Sequence, residues 1–207
     1  MVNVEAILEK FQEFNPEPKC EIVYDTDFNL LVGIVLSAQT TDKRVNIIGK
    51  SLFKTIKSPS DVINFGMENL ENAIKSLGFF RTKSKNIYAL SERLIKNFGG
   101  KVPYDFDALI TLPGVGRKTA SVFLNTLTGE NYIAVDTHVQ RLAKRLGFST
   151  GNTPLQIEQD LKKIIPEKFQ SKISNWLVLH GRYICKAKKP ACEKCFIRDL
   201  CHSNDKK

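Results

Sequence analysis

Residues 111–120 read Thr-Leu-Pro-Gly-Val-Gly-Arg-Lys-Thr-Ala, and they set one amine, that of Lys118, at the start of a helical pattern. Pro113 and Gly114 make a turn after the apolar Leu109, Ile110 and Leu112. Gly116 permits either a second tight turn or the close approach of a ligand. The apolar period through Val115, Ala120, Val122, Phe123 and Leu127 then predicts a helix. The segment reads as a hairpin between two helices. The first N–H groups of a helix lack intrahelical partners and attract anions, phosphate above all. Gly114, Gly116, Arg117 and Lys118 are candidates for such a contact. A nucleotide-binding P-loop would need contiguous Gly-Lys-Thr after a buried strand, and the chain has Gly-Arg-Lys-Thr with no such strand. A plain loop with an exposed lysine stays open on these residues alone.

Asp136 follows in Ile133-Ala-Val-Asp-Thr-His138, just before another helical pattern. It could be a simple N-cap. Chain length also allows more. A helix over 116–127 is about 18 Å long at ~1.5 Å per residue. The next eight residues can span about 26 Å when extended, enough to return Asp136 to the end that carries Lys118. A lysine with a carboxylate suits an amine nucleophile. With a free pKa of about 10.4, that amine is rarely neutral at pH 7. The helix start, Arg117 and burial would all lower it, whereas an ionised Asp136 would raise it. Asp136 is therefore assigned to proton transfer and to stabilising positive charge that develops in the reaction.

Cys185, Cys192, Cys195 and Cys201 follow the spacing C-x6-C-x2-C-x5-C and indicate a metal site. Zinc and an iron–sulfur cluster both accept four thiolates, and the spacing leaves both open. Cys20 stands alone and reads as a buried small hydrophobe. Lys186, Lys188 and Lys189 lie between the first two cysteines, in a loop that bound metal would hold ready for phosphates.

Around these groups lies a basic chain of 207 residues with net charge +9, 42% hydrophobic residues and a pI near 9.3. It can bury a core, and its charge favours a polyanion, nucleic acid first. No 18-residue apolar run or secretory pattern is visible, which argues against a membrane partner and for a reducing, cytoplasmic setting without disulfides. Helical periods cover about 3–14, 27–38, 42–54, 69–76, 84–98, 115–128, 137–146, 154–164 and 168–184. Ser60-Asp61, Asp105 and Thr153-Pro154 are expected helix starts, and Gly78, Gly99-Gly100 and Gly147 expected ends. Tyr132–Val135 reads as a connector. His138 and Trp176 read as structural, the latter with Ile173, Leu177 and Leu179 in the core. Arg81, Lys83 and Lys85 are either DNA contacts or solvated charges. The chain reads as all-α.

Hairpin, lysine, aspartate and cysteine tail, in this order, resemble the endonuclease III family of DNA glycosylase/AP lyases along nearly the whole chain. Leu-Pro-Gly-Val-Gly-Arg-Lys-Thr-Ala at 112–120 resembles the family's helix–hairpin–helix with its catalytic lysine. Val-Asp-Thr-His at 135–138 resembles the catalytic aspartate segment, and the tail resembles the [4Fe–4S] loop. The resemblance, not the spacing, chooses iron–sulfur over zinc. Leu36-Ser-Ala-Gln-Thr-Thr-Asp42 resembles the segment that places a glutamine, here Gln39, in the gap left by a flipped base. Phe79 falls where the family often has an aliphatic wedge, so its aromatic ring departs from the pattern.

The resemblance implies a two-lobed, all-α glycosylase fold: a central helical barrel over 21–130, and a second lobe of 1–20 and 131–207 with the cluster loop at 185–201. DNA would lie between the lobes. The implied partner is double-stranded DNA with a damaged base or abasic site, bound by a monomer near the nucleoid. The implied activity is removal of an oxidised pyrimidine by Lys118, then strand cutting 3′ to the lesion. A mismatch-specific thymine or uracil glycosylase of the same superfamily is the alternative within the enzyme class. An adenine-removing relative is disfavoured by Lys118 and by the absence of a glutamate in 37–42. A non-catalytic DNA-binding module is the alternative from another class.

Overall fold

The computed structural model describes residues 2–203. Met1 and residues 204–207, the extreme ends of the expected second lobe, lie outside the described residues. Every regular element among the described residues is helical. The chain divides into two compact units, one formed by Glu21–Thr128 and the other by Met1–Cys20 with Gly129–Lys207.

The first unit holds α2 (Asp27–Leu36), α3 (Asp42–Thr55), α4 (Pro59–Phe65), α5 (Met67–Ile74), α6 (Phe80–Phe98), α7 (Phe106–Ile110) and α8 (Arg117–Thr128). In α2 every residue from Phe28 to Leu36 is buried, the signature of a helix surrounded by others. Buried Asn29 donates its side-chain N–H to the Ile56 carbonyl at 2.6 Å and so ties α2 to the end of α3. The helix α4 starts two residues earlier than its sequence cue. Ser58, not Ser60, is the N-cap, Pro59 follows it, and Asp61 closes a capping box by accepting from the Ser58 N–H at 2.9 Å. Both α4 and α7 escape the apolar period because each is two turns or less. Asp105 does cap α7, accepting from Ala108 N–H at 2.7 Å. The helix expected from 84 begins at Phe80, and Gly78 lies in the preceding turn without capping a helix.

The second unit holds α1 (Val4–Phe14), α9 (Thr137–Arg145), α10 (Pro154–Ile164) and α11 (Glu167–Tyr183). Its core joins Ile7, Leu8 and Phe11 of α1 to Val139, Leu142, Ile173, Trp176 and Leu177. Each such side chain contributes about 1.5–3 kcal/mol on burial. Trp176 is buried, stacks on Phe11 at 5.8 Å and donates its indole N–H to the Asn15 carbonyl at 2.7 Å. Lys172 and Asn175 bond the Pro16 and Pro18 carbonyls at 2.9 and 3.1 Å, so α11 holds the segment after α1 along its length. Thr153 caps α10 at the expected start and forms a capping box with Gln156. Cys20 is half-buried, not the interior hydrophobe the sequence suggested.

Candidate active site and cluster loop

The hairpin runs from α7 through 111–116 into α8. Leu109, Leu112 and Val115 are buried and anchor its inner side. Backbone bonds from Leu112 N–H to Leu109 and from Val115 N–H to Leu112, both 3.0 Å, close two successive turns. The two glycines differ. Gly114 has φ +77°, and a Cβ there would lie 2.9 Å from the Asn86 Cβ of α6. Gly116 has no left-handed φ, and a Cβ there would meet nothing within 4 Å. The second tight turn is therefore not what Gly116 provides, and of the two sequence readings the open approach is left. Lys118 and Arg117 stand exposed in the first turn of α8. The burial expected for the Lys118 amine is not found. The Arg117 guanidinium lies 4.9 Å over the Phe106 ring.

Among the described residues, the non-glycine residues with positive φ are Gln39 (+53°), Phe79 (+58°) and Lys189 (+52°). Such a conformation costs an ordinary side chain about 1–3 kcal/mol and persists where the surroundings impose it. Phe79 is 65% exposed, and Gln39 and Lys189 are exposed as well, so intramolecular packing of these side chains does not account for the strain. Gln39 sits in the turn between α2 and α3, closed by Thr40 N–H on the Ser37 carbonyl at 3.0 Å. Phe79 is the N-cap of α6. Lys83, which the sequence left as DNA contact or solvated charge, is neither exposed nor solvated: it is 5% exposed, and its ammonium donates to Thr40 Oγ1 at 2.7 Å.

In the second unit Asp136 is half-buried and is the N-cap of α9. One carboxylate oxygen accepts from the His138 and Val139 N–H groups at 2.8 and 2.9 Å. Below it, α9 presents a polar row toward α11. The Arg141 guanidinium bonds the Gly181 carbonyl at 2.9 Å and the Cys185 carbonyl at 3.1 Å, and contacts His138 Nδ1 at 3.2 Å. Arg145 donates to the Lys186 and Ala187 carbonyls at 2.8 and 3.2 Å and reaches the Cys185 sulfur at 3.3 Å. Gly181 makes this approach possible, because a Cβ there would lie 3.0 Å from Arg141 and from His138. Burial, with the nearby arginines adding to it, holds His138 below its usual pKa despite Asp136. These arginines carry the cluster loop, and sequence reasoning missed both. The available signal was their spacing of five and nine residues after Asp136, along one face of a helix.

The four tail cysteines line one cavity with Leu142, Leu146, Ile184, Pro190 and Ile197. Ala191 N–H closes the loop on Ile184 at 3.0 Å, and single 3₁₀ turns at Cys192–Lys194 and Arg198–Leu200 carry the chain to Cys195 and Cys201. Four thiols around one apolar cavity are a donor set that fits a [4Fe–4S] cluster, which four cysteine thiolates ligate. Lys186, Lys188 and Lys189 are all exposed on this loop.

Residues 32–167 match the HhH-GPD superfamily of base excision DNA repair proteins, and residues 185–201 match the iron–sulfur binding domain of endonuclease III. The endonuclease III of Rickettsia conorii is 52% identical over 198 residues, covering 96% of this chain and 94% of that protein. The chain belongs to the endonuclease III family. A solved structure of a trapped endonuclease III–DNA covalent intermediate superimposes with a TM-score of 0.91 at 42% identity, covering 98% of this chain and 97% of the other. A non-covalent endonuclease III–DNA complex gives the same TM-score, 0.91, at 43% identity over 96% and 94% of the two chains. An endonuclease III of this kind is a base excision repair enzyme, both DNA glycosylase and AP lyase, with a [4Fe–4S] cofactor. Its fold is the all-α helix–hairpin–helix glycosylase fold. Among the described residues no helix is long and apolar enough to cross a membrane.

Proposed function

We propose that this enzyme removes oxidised pyrimidines from duplex DNA with Lys118 as nucleophile and Asp136 as its carboxylate partner. The observation that carries the reading is an exposed amine in the first turn of α8, beside a glycine whose outer side is open. A stacked nucleotide hides its C1′, so the damaged nucleotide leaves the helix. The backbone at Gly114 and Gly116, with Arg117, holds the phosphates and fixes register. Gln39 and Phe79 fill the hole left in the duplex. Lysines 186, 188 and 189 add salt-sensitive affinity.

The Lys118 nitrogen pair then forms a bond to C1′ while the glycosidic bond breaks, and the base leaves with that electron pair and takes up a proton. Opening of the sugar ring gives a Schiff base between Lys118 and C1′. This cation acidifies the C2′ proton, and its loss expels the 3′ phosphate by β-elimination. Hydrolysis of the imine returns the amine. Asp136 stabilises the developing positive charge and moves protons. Its cap bonds hold the carboxylate at the start of α9. Cys185, Cys192, Cys195 and Cys201 would hold the cluster, whose contribution when bound is to fix the 185–201 loop. The two compact units are read as the two lobes of the enzyme. As a DNA repair enzyme it works in the cytoplasm, on the nucleoid.

Borohydride trapping tests the reading. Incubation with a thymine-glycol duplex and borohydride yields a covalent protein–DNA adduct. Lys118→Gln binds the same duplex and yields none. An adduct formed by Lys118→Gln assigns the nucleophile elsewhere, and no adduct with the unaltered enzyme removes the lyase step.

A further inference from the structure

Lys83 is the buried lysine among the described residues, and its ammonium faces no carboxylate within bonding distance. Its side-chain partner is the neutral hydroxyl of Thr40 at 2.7 Å. Burying an ammonium against a hydroxyl costs more than burying an apolar chain of the same length. Burial indeed lowers the pKa of this amine. The arrangement therefore needs a reason other than stability.

Its position supplies one. Thr40 follows Gln39, whose backbone is left-handed, and lies in the turn between Ser37 and the α3 cap at Thr41. Lys83 lies in the first turn of α6, and its backbone N–H donates to the carbonyl of Phe79, the other left-handed non-glycine residue described in this unit, at 3.0 Å. A second tie runs parallel to the first: Arg44 of α3 donates to the Ser76 carbonyl, just before Phe79, at 3.2 Å. The turn carrying Gln39 and the turn carrying Phe79 are thus braced to each other, with Lys83 in contact with both.

We propose that Lys83 is a positioning residue for entry into the duplex: clamped on Thr40, it holds the Gln39 turn at a set distance from Phe79 before DNA arrives. The proposal rests on the reading of Gln39 and Phe79 as the residues that fill the gap. Rigid presentation lowers the ordering cost of binding, so its loss falls on the step that opens the helix and not on the lysine chemistry.

Single-stranded abasic DNA leaves no gap to fill, which makes the ratio of two rates the readout. Single-turnover cutting is measured on a thymine-glycol duplex and on a single-stranded abasic oligonucleotide, with thermal melting alongside. Lys83→Met cuts the duplex about 10-fold more slowly, the size of one charged hydrogen bond. Its single-strand rate stays within about twofold, and its melting temperature is unchanged or higher. Thr40→Val gives the same selective loss, Thr40→Ser keeps the native rates, and Lys83→Met with Thr40→Val is no worse than either alone. Equal losses on both substrates, or additive losses, overturn the proposal. Should Lys83→Met fold poorly, Thr40→Val decides. Gln39→Ala and Phe79→Ala separate the two levels. If they lose duplex cutting selectively while Lys83→Met and Thr40→Val do not, the positioning role fails. If they too lose both rates equally, the gap-filling reading fails.

Discussion

The two hairpin glycines show how much one residue's surroundings decide. Gly114 is required by the chain itself, through its left-handed φ and the side chain of Asn86. Gly116 is required by nothing in the chain. Gly114→Ala is expected to lower stability by about 1–3 kcal/mol, read as a fall in melting temperature. Gly116→Ala is expected to change stability by less than about 0.5 kcal/mol. Its affinity for an abasic-analogue duplex falls, because a methyl group then stands where a phosphate approaches. Unchanged affinity for that variant would remove the backbone of Gly116 from the DNA contact. Lys118 is the same lesson in reverse. Its residue type and place on α8 were readable, but its exposure was not, because exposure depends on what other helices leave uncovered.

At the scale of elements, α9 combines two duties at one residue. Asp136 caps the helix through two backbone N–H groups and is also the proposed catalytic carboxylate. Asparagine caps as well as aspartate does. Asp136→Asn should therefore keep the melting temperature to within about 0.5 kcal/mol of stability. Its trapping and cutting rates should fall by about 100-fold, the lower end of what a positioned acid–base group contributes. Asp136→Ala adds a stability loss of about 1 kcal/mol to the same rate loss. An Asn variant as active as the native enzyme would reduce Asp136 to a cap. The capping boxes of α4 and α10 also belong here. In α10 the cue Thr153-Pro154 was legible because it precedes a long apolar period. In α4 the period is too short to point at its own start, and the cue was misplaced by two residues.

For the whole molecule, a net charge of +9 predicts binding that weakens steeply with salt. Replacing Lys186, Lys188 and Lys189 with glutamine should lower the slope of log affinity against log salt by up to about 3. Affinity should fall by the same factor for every sequence, since phosphate contacts carry no base information. A slope equal to that of the native enzyme would make these lysines solvated charges. The arginines of α9 predict a second whole-molecule effect. Arg145→Ala removes bonds to three consecutive residues of the cluster loop, 185–187, so visible absorbance of the cofactor should be lost faster in air than in the native enzyme.

What the sequence determined by itself was everything carried by neighbours along the chain. Helical periods, most caps, the Pro-Gly hairpin, the cysteine spacing and the order of the motifs all depend on residues within a few turns of each other, and the family follows from that order. The tertiary structure decided what depends on residues far apart. Lys83 and Thr40 are 43 positions apart, and Arg141 and Cys185 are 44 apart. No period or spacing links such pairs. The left-handed backbone at Gln39 and Phe79 was not legible either, because neither residue type favours it.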